Sequence, residues 1–521
     1  MTRAVTERVV IVGAGAAGLL AAVFLARTGR QILVVERDAA PASAPGAGAA
    51  IGEARPGLPQ ARHSHAYLAS FRALLTRRSP DLLAALLTAG AREIPLLATA
   101  PAGGEAGRAD DLVVLGCRRP LLDEVLRAAV LAEPGVSILA GSRVAGLVVD
   151  AGPGRVPRVR GLRLADGTIL EADLVVDAGG RLSPVRDLLA TAGATLPAEL
   201  GAPCGITYYS RFYARAHDSL ATPLNRGHTA GASFDRYSCL VFPADNATFS
   251  ITFGVLPEDA ELRLLRHDSA FDAAVRAIGP LAPWLDGLVA TDPRRRDSPA
   301  GAVIPLGPVA AMAGLRNTFR PWVADGRPAA LGVLPIGDAA LITNPAHTRG
   351  TTLAALGAAW LTDVVTATAD PGERALRLDA ITRAEGLPWY HDSREQDDAR
   401  LARWRAPAPR AGTGPEPRAD GPARVANGEA FLAAQRDPVV WHSFTRLQHL
   451  LARPADVLAD PEIVARVRAV QASGWRPAPM PGPSRAELIA TAAAALTGSA
   501  EPGRPVPGGP ARDGAVPGGV S

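Results

Sequence analysis

The sequence predicts an α/β fold: a Rossmann-type domain on a parallel sheet, interrupted by a mainly antiparallel β-sheet domain and followed by a C-terminal helical region. Three observations carry that prediction. Arg8–Val12 is a short β-branched run ended by glycine, the pattern of a strand buried on both faces. Ala16 to Thr28 follows as an apolar helix stopped by Gly29, and Gln31 to Glu36 is a second strand, so the chain opens as a βαβ unit. From about 200 to 260 the pattern changes to alternating polar and apolar residues, which reads as a second sheet inserted into the first domain.

The other elements follow the same cues. Residues 38–50 are Ala/Gly/Pro-rich and read as loop; helices are expected over 65–78 and 80–89, and 99–110 reads as a polar turn. Leu121 to Leu131 reads as a helix, and two strand-like segments flank the Asp166–Gly167 hairpin signal, the second ending at Leu174–Val176. Within the inserted sheet, Ile206–Arg211, Ser238–Phe242 and Thr248–Val255 are strands, with Pro243 to Asn246 as a turn. Leu334–Ile336 returns to the buried parallel type before a long helix over about 350–367. Residues 380–405 read as a charged helix, 406–428 as a linker and 429–472 as helical again. Ser484 and Glu487 form a capping-box signature for a last short helix.

Bulk composition narrows the function classes. The 521 residues carry a formal charge of only +4, with no basic run or basic–aromatic stripe, so nucleic acid is not an expected partner. No uncharged apolar run approaches the ~18 residues that span a bilayer. Met1 to Arg8 is short, charged and leads into a strand, unlike a signal peptide, and the three dispersed cysteines lack a metal spacing. A cytoplasmic location and no metal site are expected. All 55 basic residues are arginine, so no chemistry needing a lysine amine can run.

Gly13-Ala-Gly15-Ala-Ala-Gly18 lies directly between the first strand and helix. There Gly13 allows a tight turn, Gly15 lets a pyrophosphate approach the backbone, and Gly18 lets helix and strand pack closely. Glu36, with Arg37 beside it, ends the second strand about 20 residues on, where a carboxylate can accept ribose hydroxyls. This constellation points to a dinucleotide, and Glu36 argues against a 2′-phosphate there.

Later motifs sharpen the cofactor. Gly337-Asp338-Ala-Ala and Asn344-Pro345-Ala-His-Thr-Arg349-Gly350 resemble the late motif of FAD-dependent monooxygenases of the para-hydroxybenzoate hydroxylase and squalene epoxidase type. Asp177-Ala-Gly-Gly180-Arg181-Leu-Ser183-Pro-Val-Arg186 and Arg119-Pro-Leu-Leu-Asp123 are similar to two further motifs of that family, so the resemblance runs over roughly residues 8 to 365. It implies FAD, with Asp338 on ribityl or ribose hydroxyls, Arg119 near the phosphates and ribityl chain, and Asp177 and Arg186 in the middle motif. Pro345, Arg349 and Gly350 would lie in the loop and helix start at the flavin pyrimidine. Where the family's loop reads Pro-x-x-Gly-x-Gly, this chain has Thr348 at the first of those glycines. Thr tolerates positive φ poorly, which predicts a re-shaped loop.

The domains expected on this basis are an FAD-binding domain over 1–200 and 326–380, a substrate-binding β-sheet domain over 201–325, a helical region over 381–475 and a largely disordered tail over 476–521. Arg55 to His65 looks like the family's loop near the flavin ring, particularly as in actinobacterial epoxidase and hydroxylase relatives. His63 and His65 are therefore candidates for hydrogen-bond donation or acid/base work, with a solvent-facing or capping pair as the plainer reading. Alternation along the first inserted strand puts Tyr208 on one face and Tyr209 with Arg211 on the other, leaving open which face lines the substrate pocket. The resemblance implies oxygen transfer from a flavin C4a-hydroperoxide to an electron-rich alkene or aromatic natural-product intermediate, with a polyene or aromatic polyketide as the substrate class it points to. The reductant would be NADPH bound transiently or a partner flavin reductase. A flavin-dependent alkene reductase of the geranylgeranyl reductase type is the alternative. Halogenation is disfavoured by the missing lysine, and a flavin-free prenyl-protein escort is the non-enzymatic rival.

Overall fold

The computed structural model describes residues 6–39, 57–102, 111–152, 154–289, 301–406 and 423–498. The expected loop at 40–50, the turn at 103–110, the linker at 407–422 and the tail beyond 499 lie outside them.

A five-stranded parallel sheet forms the base, in the order Val333–Pro335, Leu174–Asp177, Arg8–Val12, Gln31–Val35 and Val136–Leu139. Its inner strands are buried because helices cover the sheet, while the edge strand Val136–Leu139 is only half-buried. The helix Ala16–Ala26 is apolar on every side and buries Leu19 through Leu25, packing against the helix Gly350–Ala367 through alanine-rich faces. The latter helix thus rests on the cofactor-binding βαβ unit while its N-terminus remains beside the late motif.

The inserted sheet runs Ala230–Ser233, Tyr237–Pro243, Thr248–Val255, Thr207–Arg215 and Val303–Pro305, all antiparallel, with Ala310–Met312 also pairing on Thr207–Arg215. Tyr209, Tyr213, Phe249 and Phe253 point from one face into a core shared with the helix Asp268–Ala277. The helix Arg485–Gly498 lies on the same core, burying Leu488 and Ala492, so residues 485–498 are ordered against the sheet rather than part of a disordered tail. Tyr208, Ser210 and Thr252 point from the opposite face toward the FAD-type domain.

Several boundaries differ from the sequence reading. The helix expected from 65 starts at Ala69, because Tyr67 exchanges backbone hydrogen bonds with Leu115 at 2.9 and 3.0 Å, and strand pairing overrides the local apolar pattern. The pair Arg92–Pro95 with Val113–Gly116 was not expected. The region 429–472 is divided into separate helices at Pro438, Pro454 and Pro461, each of which sits in a first helical turn. Asp437 and Asp460 cap two of these by accepting backbone N–H groups.

Candidate active site

A cavity of about 480 Å³ runs from the Gly13 turn to the start of the helix Gly350–Ala367. At one end Gly13 has φ +97°, and a Cβ there would lie 2.6 Å from Ala178 O, so only glycine fits. A Cβ on Gly18 would lie 2.0 Å from Gly13 O; this glycine serves helix–strand packing and does not line the cavity. Gly15, in contrast, faces open space, with Arg119 Nη2 4.0 Å from where its Cβ would stand. Glu36 accepts the backbone N–H of Ala14 at 2.7 Å and that of Asp38 at 2.9 Å, which locks the turn and the carboxylate together at the cavity wall. Arg37 lines the same end.

In the middle of the cavity, Asp338 faces the space beside Arg119, which pairs with Asp123 at 2.7 Å. Burial raises the Asp338 pKa above the ordinary carboxylate range, against the pull of Arg119, Arg181 and Arg320. Asp177 does not reach the cavity. It accepts Gly179 N at 3.0 Å and Ser183 Oγ at 2.6 Å, shaping the loop whose Ala178 to Leu182 do line it. Gly337 likewise stands behind the wall, packed on Ala17.

At the far end the wall is formed by Pro345, Thr348 and Gly350 from the late motif, and by His63, Ser64 and His65 from the early loop. Thr348 adopts φ +54° and ψ +19°, so the loop keeps a left-handed turn even without glycine. That turn puts backbone strain on a β-branched residue. His63 is buried and its Nδ1 lies 2.9 Å from Ser210 Oγ; Ser210, Thr252, Ser64 and Ser250 continue as a chain of hydroxyl contacts of 2.6–2.8 Å. His65 Nδ1 donates to His63 O at 2.8 Å, which leaves Nε2 of the neutral ring as an acceptor. Burial, with Arg62 nearby, lowers the His63 pKa to about 4. Burial and Arg119 lower that of His65 to about 3.

Four further candidates, beyond Gly18, Asp177 and Gly337, do not come to the cavity. Arg211 lies on the Tyr209 face of the sheet, where it pairs with Asp272 at 2.7 Å and Asp268 at 2.9 Å; its charge needed burial-compatible carboxylates, and those lie on the helix behind the sheet. Arg186 donates to Pro197 O, away from the cofactor space. Arg349 turns inward from the loop and is fully buried, 2.6 Å from Asp392 and over the Trp389 ring. Tyr208 acts behind the wall: its hydroxyl donates to Asn344 Oδ1.

That last contact belongs to a network the sequence reading missed. Asp397, on the helix Leu387–Arg405, accepts Asn344 Nδ2 at 2.6 Å, Asn317 Nδ2 at 2.8 Å and Arg400 Nη2 at 3.1 Å. Ser393, one turn earlier, donates to Asn317 Oδ1, which also receives Asn344 N. The C-terminal helix therefore holds the late-motif loop from behind.

The residues fit FAD: a glycine cradle for a pyrophosphate, Glu36 and Asp338 where carboxylates can take hydroxyls, and a helix N-terminus at Gly350 at the other end of the cavity. The comparisons with known proteins agree. The family model described as FAD dependent oxidoreductase matches residues 8–100. PqsL, a probable FAD-dependent monooxygenase from Pseudomonas aeruginosa, superposes with a TM-score of 0.55 at 16% identity, over 76% of this chain and 97% of its own. The chain has the FAD-dependent monooxygenase fold. The same fold is shared with 2-methyl-3-hydroxypyridine-5-carboxylic acid oxygenase, at a TM-score of 0.53 and 16% identity over 77% of this chain and 93% of the other. Two proteins named kynurenine 3-monooxygenase, from Salinispora arenicola and Salinispora tropica, are 33% and 32% identical over 185 residues. That stretch is 34% of this chain, and the chain spans only 37% of the length of those relatives.

Proposed function

We propose that this chain is an FAD-dependent monooxygenase that inserts one atom of O2 into an electron-rich aromatic or alkene carbon of a small molecule. The observation that carries the reading is a continuous cavity. It holds the groups suited to the cofactor at Gly13, Glu36 and Asp338, and ends at His63 and Ser64 against the hydroxyl-bearing face of the inserted sheet. Bound FAD would supply the redox chemistry, activating O2 and delivering one oxygen atom.

The protein's part is binding, orientation and exclusion of water. The positive end of the helix at Gly350 would favour negative charge on a ring system bound against it. His63, at the cavity wall, is held by Ser210 through its Nδ1, and His65 offers an acceptor nitrogen. Their lowered pKa values make both rings hydrogen-bonding neutral groups at pH 7 and poor proton acceptors, so the reading is positioning rather than acid/base work. The reductant would be NADPH bound transiently, or a partner flavin reductase. The three buried free thiols fit a reducing, cytoplasmic setting.

The test is to load the purified chain with FAD, supply NADPH or a flavin reductase, and screen aromatic and polyene compounds for products by mass. A product heavier by one oxygen, labelled from ¹⁸O2, is expected. A gain of hydrogen alone, or no incorporation of ¹⁸O across the panel, would overturn the reading.

A further inference from the structure

Two consecutive residues of the cavity wall, His63 and Ser64, are joined behind it by hydroxyl groups of the inserted sheet. Ser64 Oγ lies 2.6 Å from Thr252 Oγ1, which lies 2.8 Å from Ser210 Oγ, and Ser210 Oγ lies 2.9 Å from His63 Nδ1. Ser250 is buried, and its hydroxyl donates to Ser64 Oγ at 2.7 Å. Ser210 is buried completely, so its hydrogen has only these neighbours to go to.

A hydroxyl has one hydrogen to give, so the directions of these contacts are coupled. In one order Ser64 gives to Thr252, Thr252 gives to Ser210 and Ser210 gives to His63 Nδ1. All four bonds then run in the same sense from Ser250, each polarising the next, and the ring carries its own hydrogen on Nε2. Any order with Nδ1–H on His63 breaks the run at Ser210, Thr252 or Ser64, where two donors converge on one oxygen. The unbroken order is the more favourable one. Burial, with Arg62 nearby, lowers the His63 pKa to about 4, so at pH 7 the ring is neutral and one nitrogen bears no hydrogen. His65 is held in the opposite form, because its Nδ1 donates to a carbonyl, His63 O.

We infer that Ser250, Ser64, Thr252 and Ser210 are positioning residues that fix His63 as its Nε2–H tautomer, a hydrogen-bond donor to an acceptor oxygen on the substrate. Ser210 takes Nδ1, which leaves only Nε2 for a ligand. His65 cannot take the same role, since its Nε2 has no hydrogen, so the wall sets one donor beside one acceptor. It therefore suits an oxygen-bearing substrate, such as a ketone, better than the corresponding hydrocarbon. That a substrate is the ligand rests on the monooxygenase reading; the tautomer does not.

The tautomer is read first, without ligand or reductant, by long-range proton–nitrogen NMR of FAD-loaded protein carrying ¹⁵N-labelled histidine. His63→Gln and His65→Gln assign the two rings. His63 is expected as Nε2–H and His65 as Nδ1–H. Ser210→Ala should move the His63 Nδ1 resonance to that of an unbonded nitrogen, Thr252→Val should move it part of the way, and Thr252→Ser should restore it. The ligand is then read by titrating 1-tetralone and tetralin, the same carbon frame without the oxygen, against the flavin absorbance. Tetralone should bind about 10-fold more tightly. Ser210→Ala should cut that preference severalfold with FAD retained, and Thr252→Val should cut it less. A crystal structure of the complex should put the carbonyl oxygen within hydrogen-bond reach of His63 Nε2. A His63 found as Nδ1–H or protonated, or a His63 spectrum unmoved by Ser210→Ala, would overturn the positioning role. No preference for tetralone, no binding of either probe, or a carbonyl away from His63 would overturn the donor role. None of these outcomes involves turnover, so they are separable from the ¹⁸O result, which tests the monooxygenase reading alone.

Discussion

Tyr208 donates its hydroxyl to Asn344 Oδ1 at 2.7 Å, tying the inserted sheet to the first residue of the loop that carries Pro345 and Thr348. The same Asn344 oxygen accepts Ala346 N at 3.0 Å, and its Nδ2 donates to Asp397 on the C-terminal helix. Three parts of the chain thus meet at one amide. Tyr208→Phe removes one of these bonds and leaves the Asn344 oxygen with Ala346 N, so the expected cost is about 1 kcal/mol of stability. FAD affinity should fall by roughly 3- to 10-fold, since ~1.4 kcal/mol is tenfold and the loop loses one tether. Urea denaturation and FAD titration of the apoprotein check this; unchanged FAD affinity would show that the tether does not hold the cofactor loop.

Thr348 is held at φ +54°, which costs a β-branched residue about 1–2 kcal/mol relative to glycine. Thr348→Gly releases that strain, gives back part through a more flexible unfolded chain, and loses the Thr348 Oγ1 bond to His347 O. The net expectation is a gain of at most about 1 kcal/mol with FAD retained. Thr348→Val keeps the strain and loses the hydroxyl, and should be less stable than the parent. Comparing the two by chemical denaturation checks the sign; a less stable glycine variant would mean that the threonine side chain contributes contacts exceeding the strain.

The cofactor end of the site was legible because its chemistry is local. Gly13, Gly15 and Glu36 lie within one βαβ unit, where backbone geometry dictates residue type, and Asp338 follows a strand of the same sheet. Arg349 and Arg211 misled for a common reason: a guanidinium is equally suited to a ligand and to a buried carboxylate. The carboxylates that claim them, Asp392 and Asp272, come from helices 43 and 61 residues away. Asp397 and Ser393 gave no local signal at all, since one polar face of a charged helix reads like solvent until the helix is docked. Asp370-Pro371, Asp437-Pro438 and Asp460-Pro461 are helix starts that the sequence reading passed over, although the signal is local: each aspartate accepts backbone N–H of the first turn.

Arg211 is expected to matter for stability and not for substrate. It is buried between Asp268 and Asp272, donates to Gly307 O at 3.1 Å, and shares Asp272 with the Tyr213 hydroxyl at 2.5 Å. Arg211→Met leaves Asp272 buried with only the tyrosine as partner, a loss of about 3–5 kcal/mol. Tm should fall by several degrees while FAD affinity and the flavin spectrum of the folded fraction stay as in the parent. A variant with parental Tm but altered ligand-induced flavin spectra would return Arg211 to the substrate site.

Stability should also decline on mild acidification, and the sign follows from the histidines. Burial lowers His63 and His228 to about 4, and His65 and His347 to about 3, against about 6.5 in an unfolded chain. Well above pH 6.5, by about pH 8, both folded and unfolded states hold these rings neutral, and they contribute no pH dependence. Between pH 6.5 and 4 the unfolded chain takes up protons that the folded chain refuses. Stability is therefore lost as pH falls, at up to about 1.4 kcal/mol per pH unit for each ring. Carboxylates with lowered pKa, such as Glu7 and Asp392, add to the loss only further down, as pH nears 4. Urea midpoints of the apoprotein at pH 7.5, 6.5, 5.5 and 5.0 check the window. The midpoint should fall least between the first two and with a growing slope below pH 6.5, and His347→Gln should shallow that fall. A midpoint independent of pH down to 5.0 would mean that these rings are solvated, or paired with groups that accept their charge.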